Sequence, residues 1–303
     1  MKVKLVTTWQ QKATLAKSTS ISRCCKLIDL QPSSYYAITS QQALPPKVDH
    51  TQIALKAAFI ASGQTYGSRR LVRVLNRQGF NVGRYRVRSM MKVAQLVPVW
   101  KRKFVRTTDS KHTGRIAPNL LQQDFKVRQM NRVWVADITY IRTQSGWLYL
   151  AAVMDLYARK IVGWALASHM RASLVCSALN MAIIARQPAA GLIVHTDQGS
   201  QYASDNYIKL LAKHQITASM SGRGNCYDNA VMERFFLSLK MERVWQKYYA
   251  NHQEAVKDIS QYIVGFYNSA RLHSSLSYLS PNQFEAKLTE QQQIMSIEVS
   301  NFS

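Results

Sequence analysis

A carboxylate in the middle of an apolar, alternating run is the feature that most restricts what this chain can become. In "NRVWVADITYIRT", Trp134, Ala136, Ile138 and Tyr140 fall on one parity, and Val133, Val135, Asp137, Thr139 and Ile141 on the other. Alternation of period two predicts a β-strand. A charge on the face of such a strand is costly unless it is paired or holds a cation. Asp137 therefore needs compensation from elsewhere in the chain.

Two other acids share its setting. Asp197 ends the apolar run "GLIVHTD", and Glu233 lies in a helical stretch otherwise apolar nearby (Ala230, Val231, Phe235, Phe236, Leu237). Carboxylates from two strands and a helix can converge on divalent cations through oxygen ligands. That layout serves two-metal phosphoryl transfer, in which one ion activates the attacking oxygen and the other stabilises the leaving one. Other acids have competing readings. Asp155 is followed by Arg159 and Lys160, so it is a hairpin or salt-bridge residue or else a neighbour of the site; Asp205 and Asp228 sit where helices start and read as caps. Glu242, nine residues after Glu233, falls off its face and reads as reaching solvent. His195, on the same strand face as Asp197, reads as a buried structural histidine, with support of the site as the alternative.

The order of elements after Pro118 gives the fold class. "NRVWVADITYIRT", a "QSG" turn, "WLYLAAVMDLYARK" and "IVGWALAS" predict three antiparallel strands. A helix ("RASLVCSALNMAIIARQ"), a buried strand ("GLIVHTD"), a helix ("SDNYIKLLAKHQ") and a short strand ("ITASM") follow. One long helix over "AVMERFFLSLKMERVWQK" and another near "EAVKDISQYIVGFYNS" complete the set. We read an α/β fold: a ribonuclease H-like, mixed five-stranded sheet flanked by helices.

Charge divides the chain. The net charge is +24, and 22 of the 40 Lys and Arg but only 3 of the 16 Asp and Glu fall in residues 1–120, leaving +19 there and +5 in the remainder. A basic concentration of this kind suits a polyanion, because docking releases counterions from phosphates. Within it, "YGSRRLVRVLNRQGFNVGRYRVRSMMK" predicts a helix-turn-helix: Ser68 as cap, Leu71, Val72 and Leu75 inward, Arg69, Arg70, Arg73 and Arg77 around the rest, a turn from Gly79 to Gly83, then a second helix. There Val87, Met90 and Met91 face inward while Arg84, Arg88 and Lys92 recur along one side, which fits a DNA groove and also a solvated face. An earlier segment, "ATLAKSTSISRCCKLIDLQPSSYY", repeats the rhythm more weakly, and residues 37–50 read as a linker around Pro45 and Pro46. The expected organisation is an all-α DNA-binding region over 1–98, a basic linker over 99–118, the catalytic core with C-terminal helices over 119–290 and a tail over 291–303. Cys24, Cys25, Cys176 and Cys226 form no CxxC pair and read as reduced thiols. No apolar run is long enough for a membrane span, and we expect a cytoplasmic protein.

"WVADITYI", "HTDQGSQY" and "SGRGNCYDNAVMERFF" together resemble the catalytic core of insertion-sequence transposases in the retroviral integrase superfamily, specifically the second-reading-frame product of the family named after insertion sequence three. Thirty-five residues separate Asp197 from Glu233, the spacing typical of that group. "YNSARLHSSLSYLSPNQFEAK" and the "YGSRRLVRVL" region resemble the family's ending and its helix-turn-helix. The resemblance implies that Asp137, Asp197 and Glu233 are the catalytic and metal-binding acids, with two Mg²⁺ ions per site and Mn²⁺ able to substitute. It implies water as nucleophile in nicking and a DNA 3′-hydroxyl in strand transfer. Lys240, two turns after Glu233, is a phosphate contact or a surface lysine, and Arg223 touches DNA or forms a plain turn. Tyr267, Asn268, Arg271 and His273 match the family's tail and are assigned to packing. The implied partners are the element's terminal repeats and target DNA, an oligomer assembled on DNA, and an upstream reading-frame product fused to this chain. A nuclease without strand transfer and a catalytically silent DNA-binding regulator are the rival readings, and the intact set of three acids argues against the second.

Overall fold

A computed structural model describes residues 8, 20–43, 49–99, 116–121, 127–222 and 229–300. It contains two compact units, Met1–Ala54 and Leu55–Ser303. In the first, helix α1 (Ile21–Leu27) is capped by Ser20, whose Oγ accepts from the Arg23 amide at 3.3 Å. Cys24, Cys25 and Tyr35 are buried, with Ile21, Ile28 and Leu30 packed against them. Helix α2 (Pro32–Ala43) starts on a proline, whose fixed φ suits a first helical residue. It contains no further breaker before Pro45, so the stretch from residue 37 that reads as linker is helical up to Ala43. Cys24, Cys25 and Cys176 are free thiols; Cys226 lies outside the described residues.

The second unit begins within α3 (His50–Ala61) and continues with α4 (Ser68–Arg77) and α5 (Arg84–Val93), which pack on each other and bury Leu71, Leu75, Val87 and Met91. Gly79, at φ +87°, turns the chain out of α4 in a conformation that favours glycine. One local expectation fails: Gly67 occupies the cap position of α4 without a side-chain hydrogen bond, and Ser68 is the first helical residue. Gly67 adopts the extended backbone of a cap and leaves Ser68 in the first turn.

The sheet follows. Strands β1 (Val133–Thr143), β2 (Gly146–Asp155) and β3 (Lys160–Ala167) are antiparallel, β4 (Ile193–Thr196) and β5 (Thr217–Met220) join parallel to β1, and the order is β3-β2-β1-β4-β5. The two parities of β1 feed two cores. Trp134 and Ala136 pack with α6 (Ala172–Arg186) and α7 (Asp205–Lys213). Val133, Val135 and Ile141 pack with α8 (Ala230–Glu242), α9 (His252–Gln261) and the π-turn Tyr262–Asn268. A 3₁₀ turn Ser274–Leu276 and helix α10 (Pro281–Ser300) end the unit. Among the described residues no helix is long and apolar enough to cross a membrane.

Two predicted helices are interrupted. Instead of running to Lys247, α8 stops at Glu242 and a 3₁₀ turn Val244–Gln246 follows; the Gln246 side chain donates to the Met241 carbonyl at 3.0 Å, satisfying an acceptor that the helix end leaves open. The last helix widens into the π-turn, which delivers Asn268 to β3. There its Oδ1 accepts from the Ile161 amide at 3.0 Å and its Nδ2 donates to the Ile161 carbonyl at 2.9 Å. One side chain thus occupies backbone groups of an edge strand that otherwise invite another chain.

Asp155, fully buried, is structural. Its Oδ2 accepts from the Asn131 amide at 2.6 Å and its Oδ1 from Tyr157 and Ala158 at 2.9 and 3.0 Å, so it closes the β2–β3 hairpin without entering the site. Gly163 in β3 lies directly beneath α6. A Cβ there would sit 2.2 Å from the Ala178 carbonyl oxygen and 2.8 Å from the Ala182 Cβ. Gly163→Ala therefore forces helix and sheet apart, and urea unfolding should show a loss of about 2–3 kcal/mol; unchanged stability would mean that α6 is not seated on the sheet.

Candidate active site

The register of the parallel pair places the first two acids side by side. Val133 pairs with Ile193, Trp134 with Val194 and Val135 with His195. Two residues further along each strand stand Asp137 and Asp197. Because β4 ends at Thr196, β1 has no strand neighbour on that side beyond this point, and the gap exposes the rim of Asp137 to solvent. Asp137 also accepts from the Ile138 amide at 2.7 Å. Asp197 accepts from the Gly199 amide at 3.0 Å, in a turn where any Cβ on Gly199 would meet both that Oδ1 and the Gln201 Oε1 at 3.0 Å. A side chain there would crowd the carboxylate and the glutamine, and glycine leaves the Asp197 Oδ1 where the turn holds it.

Glu233 arrives from α8, which lies over β1 and buries Met232, Phe235, Phe236 and Leu239 while leaving Glu233, in its first turn, exposed. Lys240, on the same helix face, is half-buried with its Nζ 4.5 Å from the centroid of the Tyr140 ring. Their mutual charges are legible at Asp137. Burial first, then the charge of Asp197, then that of Glu233 push its carboxyl well above the usual range, against the Ile138 amide and Lys240, which pull it down. Burial likewise raises Glu233 and lowers Lys240, with the charge of Asp137 opposing the latter. The site is a like-charge cluster with one partial counterion. Among the described residues no three His, Cys, Asp or Glu side chains already close around a single point: Asp137 and Asp197 form the near pair, and Glu233 stands across from them.

The walls are dry. His195 is fully buried; its Nδ1 meets the Ser219 Oγ at 2.8 Å and its Nε2 the Ser221 Oγ at 3.3 Å. Ser221 donates to the Thr196 carbonyl and Ser219 accepts from the Leu120 amide, which fits an imidazole carrying its proton on Nε2. His195 thus ties β4 to β5 behind Asp197, in agreement with the structural reading. Tyr202, buried against Tyr207 at 5.3 Å, has no hydrogen-bond partner for its hydroxyl among the described residues. Its pKa rises well above normal, from burial first and then from the charges of Asp137 and Asp197.

The remaining candidates divide. Arg69, Arg84, Arg88 and Lys92 are exposed on α4 and α5. Arg70 and Arg73 are engaged within the unit: the guanidinium of Arg70 lies 5.3 Å from the Tyr66 ring and that of Arg73 5.0 Å from the Tyr278 ring. Arg223 lies outside the described residues. Glu242 departs from expectation. It is half-buried, receives Arg271 through Nε at 2.8 Å and through Nη2 at 2.6 Å, and accepts from the Tyr262 hydroxyl at 2.7 Å, because Arg271 and Tyr262 reach over it from the C-terminal segment. Sequence reasoning had no means of pairing residues 29 apart on different elements.

Three family models match: "Integrase core domain" over residues 127–226 and again over 214–281, and "HTH-like domain" over residues 49–104. The chain is 41% identical over 265 residues to the insertion element IS600 uncharacterized 31 kDa protein of Shigella sonnei, covering 87% of this chain and 97% of that one. It is 38% identical over 275 residues to transposase InsF for insertion sequence IS3A of Escherichia coli (strain K12), covering 88% and 94% respectively. Among solved structures, the catalytic core domain of the HTLV-2 integrase in complex with magnesium matches at 15% identity and a TM-score of 0.40, covering 51% of this chain and 96% of that one.

If the cluster is built for cations, Asp137 is a liability without them. The raised pKa means that stability is lost as pH rises above the ordinary carboxylate value toward the folded one, and the penalty is gone only below the ordinary value, where Asp137 is protonated in both states. Asp137→Asn should then stabilise the metal-free protein by roughly 1–2 kcal/mol at pH 8 and by nothing at a pH below the ordinary carboxylate range. Mg²⁺ should raise the melting temperature of the wild type but not of the variant. A variant less stable than wild type at pH 8 would show the acids to be structural.

Proposed function

Since the chain belongs to the IS3 family of DNA transposases, DDE-type polynucleotidyl transferases with an integrase core behind an HTH-like domain, we propose that Asp137, Asp197 and Glu233 are the acids of its active site and that α4 and α5 hold the ends of its element. The observation carrying this reading is the placement of Asp137 on β1 and Asp197 just past the end of the paired β4, with Glu233 on α8 over the same sheet, close enough that the charges of both push the Asp137 carboxyl up. A DNA-binding fold has no use for anions in a phosphate-binding cleft unless cations accompany them.

The donor set fits hard divalent cations such as Mg²⁺, or Mn²⁺ in its place: only carboxylate oxygens, a short aspartate pair and a third acid on a separate element. Asp137 and Asp197 would hold the ions from the sheet, and Glu233 would complete the set from the helix. When bound, two such ions activate the attacking oxygen and stabilise the leaving one. The protein's own share is positional. The Gly199 turn and the Ile138 amide orient the aspartates, the apolar wall of Tyr202 and Tyr207 excludes water behind them, and Lys240 holds a non-bridging phosphate oxygen beside Asp137. Water attacks in the nicking step and a DNA 3′-hydroxyl in strand transfer, and no covalent intermediate with the protein is needed.

The basic face of α5 supplies binding. Arg84, Arg88 and Lys92 stand exposed at four-residue spacing and lie along phosphates, with Arg69 of α4 and Arg223 as further contacts. Arg70 and Arg73, the latter also exposed, stand beside them as further phosphate contacts while lying over the rings of Tyr66 and Tyr278. Joining two element ends requires two active sites, which implies an oligomer assembled on DNA and is compatible with fusion to an upstream reading-frame product.

The direct test is cleavage and strand transfer on labelled element ends with Mg²⁺ or Mn²⁺. Glu233→Gln keeps shape and removes a charge, and should lower both steps on the order of 10³-fold or more, the worth of several kcal/mol of lost metal assistance, while DNA binding persists. Equal activity in the variant would remove Glu233 from the site. Separately, replacing Arg84, Arg88 or Lys92 by Ala should reduce the slope of log affinity against log salt by about 1 each; an unchanged slope would assign α5 to solvent.

A further inference from the structure

The β1–β2 hairpin carries a row of side chains that packing does not explain. Arg142 pairs across the hairpin with Trp147, near a tip where the Gln144 amide donates to the Tyr249 carbonyl at 3.0 Å and the Ser145 Oγ to the Ala250 carbonyl at 3.2 Å. Trp147 is 44% exposed. The core at this end of the sheet is already filled by Ile141, Leu148 and Leu150. Tyr140 meets the indole edge to face, with centroids 5.2 Å apart and planes at 88°, and the Arg142 guanidinium lies 5.0 Å from its centroid. On the inner side, Lys240 lies over Tyr140 and its charge acts on Asp137. Tyr140, Trp147 and Arg142 thus form a row on the face of the hairpin opposite to the parity of Asp137, and Lys240 links that row to the acid cluster, with a cation at each end and aromatic rings between.

We propose that Trp147, framed by Tyr140 and Arg142, is a stacking platform for an unpaired base of the DNA strand passing through the active site. The inference rests on the reading of the acid cluster as the place where that strand is cut and joined, and adds that a base leaves the duplex nearby. A solvent-exposed indole flanked by cations on a chain of net charge +24 suits a nucleobase attached to phosphates. It does not suit an apolar protein partner, since Trp147 stands beside Arg142, Gln144 and Ser145 rather than in a contiguous apolar patch. The five steps along β1 from Asp137 to Arg142 span roughly 17 Å at about 3.3 Å per residue. That is about five stacked nucleotides at ~3.4 Å each, so the unpaired base belongs a few positions from the scissile phosphate. The tip is held by its two bonds to the 249–250 loop, so the platform is presented at a fixed place.

The full-length chain can be titrated with three oligonucleotides labelled identically: a fully paired element end, the same end with a few unpaired nucleotides, and the single strand carrying 2-aminopurine. Trp147→Ala should weaken binding of the unpaired and single-stranded forms by about 5- to 150-fold, the worth of one stacked base, and change binding of the paired form, held by α5, by less than two-fold. Trp147→Phe should restore most of the loss, and its melting curve, like that of Trp147→Ala, should match wild type. The 2-aminopurine emission should change on binding wild type and not on binding Trp147→Ala. Equal losses on all three DNAs, or no loss on any, would overturn the platform. Binding needs no turnover, which separates the two readings. Metal-dependent joining by wild type without a Trp147 preference for unpaired DNA sinks only the platform; a clear preference with no cutting or joining leaves the platform and sinks the transposase chemistry of this site.

Discussion

The rest of the catalytic unit depends on one buried ion pair, Glu242 with Arg271. Its side chains keep only 9% and 8% of their surface, and Arg271 also reaches the Ser238 hydroxyl at 3.0 Å. Burial alone would lower the guanidinium's affinity for its proton, but the charge and hydrogen bonds of Glu242 outweigh it and raise it. Such a pair adds little net stability over apolar residues of the same size, but breaking it leaves a buried charge worth several kcal/mol. It therefore specifies position. Glu242 ends the helix that carries Glu233, and Arg271 opens the segment that follows the π-turn, so the pair fixes α8 to the chain that returns over it. His273, next to Tyr267 at 4.9 Å, sits amid Arg271, Arg70 and Arg159; burial first and these cations next push its pKa down to about 2, which keeps it neutral and adds no further charge to the cluster.

The same segment anchors the helix-turn-helix. The Tyr66 hydroxyl accepts from the Leu272 amide at 2.8 Å and donates to the Ala270 carbonyl at 3.3 Å, while Arg77 donates to the Tyr278 carbonyl at 2.7 Å and Arg73 lies over the Tyr278 ring. Two arginines of a strongly basic helix are spent on holding it. In consequence α4 and α8 are tied to the same stretch of chain, residues 270–278. A basic helix on a free tether would bind DNA equally well, but it would not register the bound sequence against the cut.

How much of this was legible depended on the range of the interactions. Alternation placed β1 and the parity of Asp137, and apolar periodicity placed the strands and helices around it, because these are nearest-neighbour properties of a chain. The resemblance to insertion-sequence transposases singled out the same three acids from the others. What escaped were contacts set by tertiary packing. Glu242 looked solvent-bound because nothing local marks Arg271 as its partner. The π-turn at Tyr262–Asn268 looked like continuous helix because its reason, the clasp of Asn268 on Ile161, lies 107 residues away. The ring beneath Arg73 could not be read locally because Tyr278 is remote in sequence. The one signal available for the hairpin was an exposed-parity Tyr140 and Arg142 followed by a tryptophan after a tight turn, a pattern equally common in ordinary hairpins.

Electrostatic cost explains why these remote contacts exist. A cluster of carboxylates pushes its own elements apart, and the repulsion at Asp137 acts between β1, the β4 loop and α8. Two strands can be held together by their ladder, and here the serine bonds of His195 reinforce it. A helix has no ladder to the sheet and would drift outward under repulsion unless something holds its far end. Met232, Phe235, Phe236 and Leu239 hold α8 down without direction, since apolar contact is indifferent to a small rotation. The directional restraint is the Glu242–Arg271 pair, about two and a half turns from Glu233 on the same helix. It fixes the rotation at which α8 presents Glu233, against the outward push of the charges.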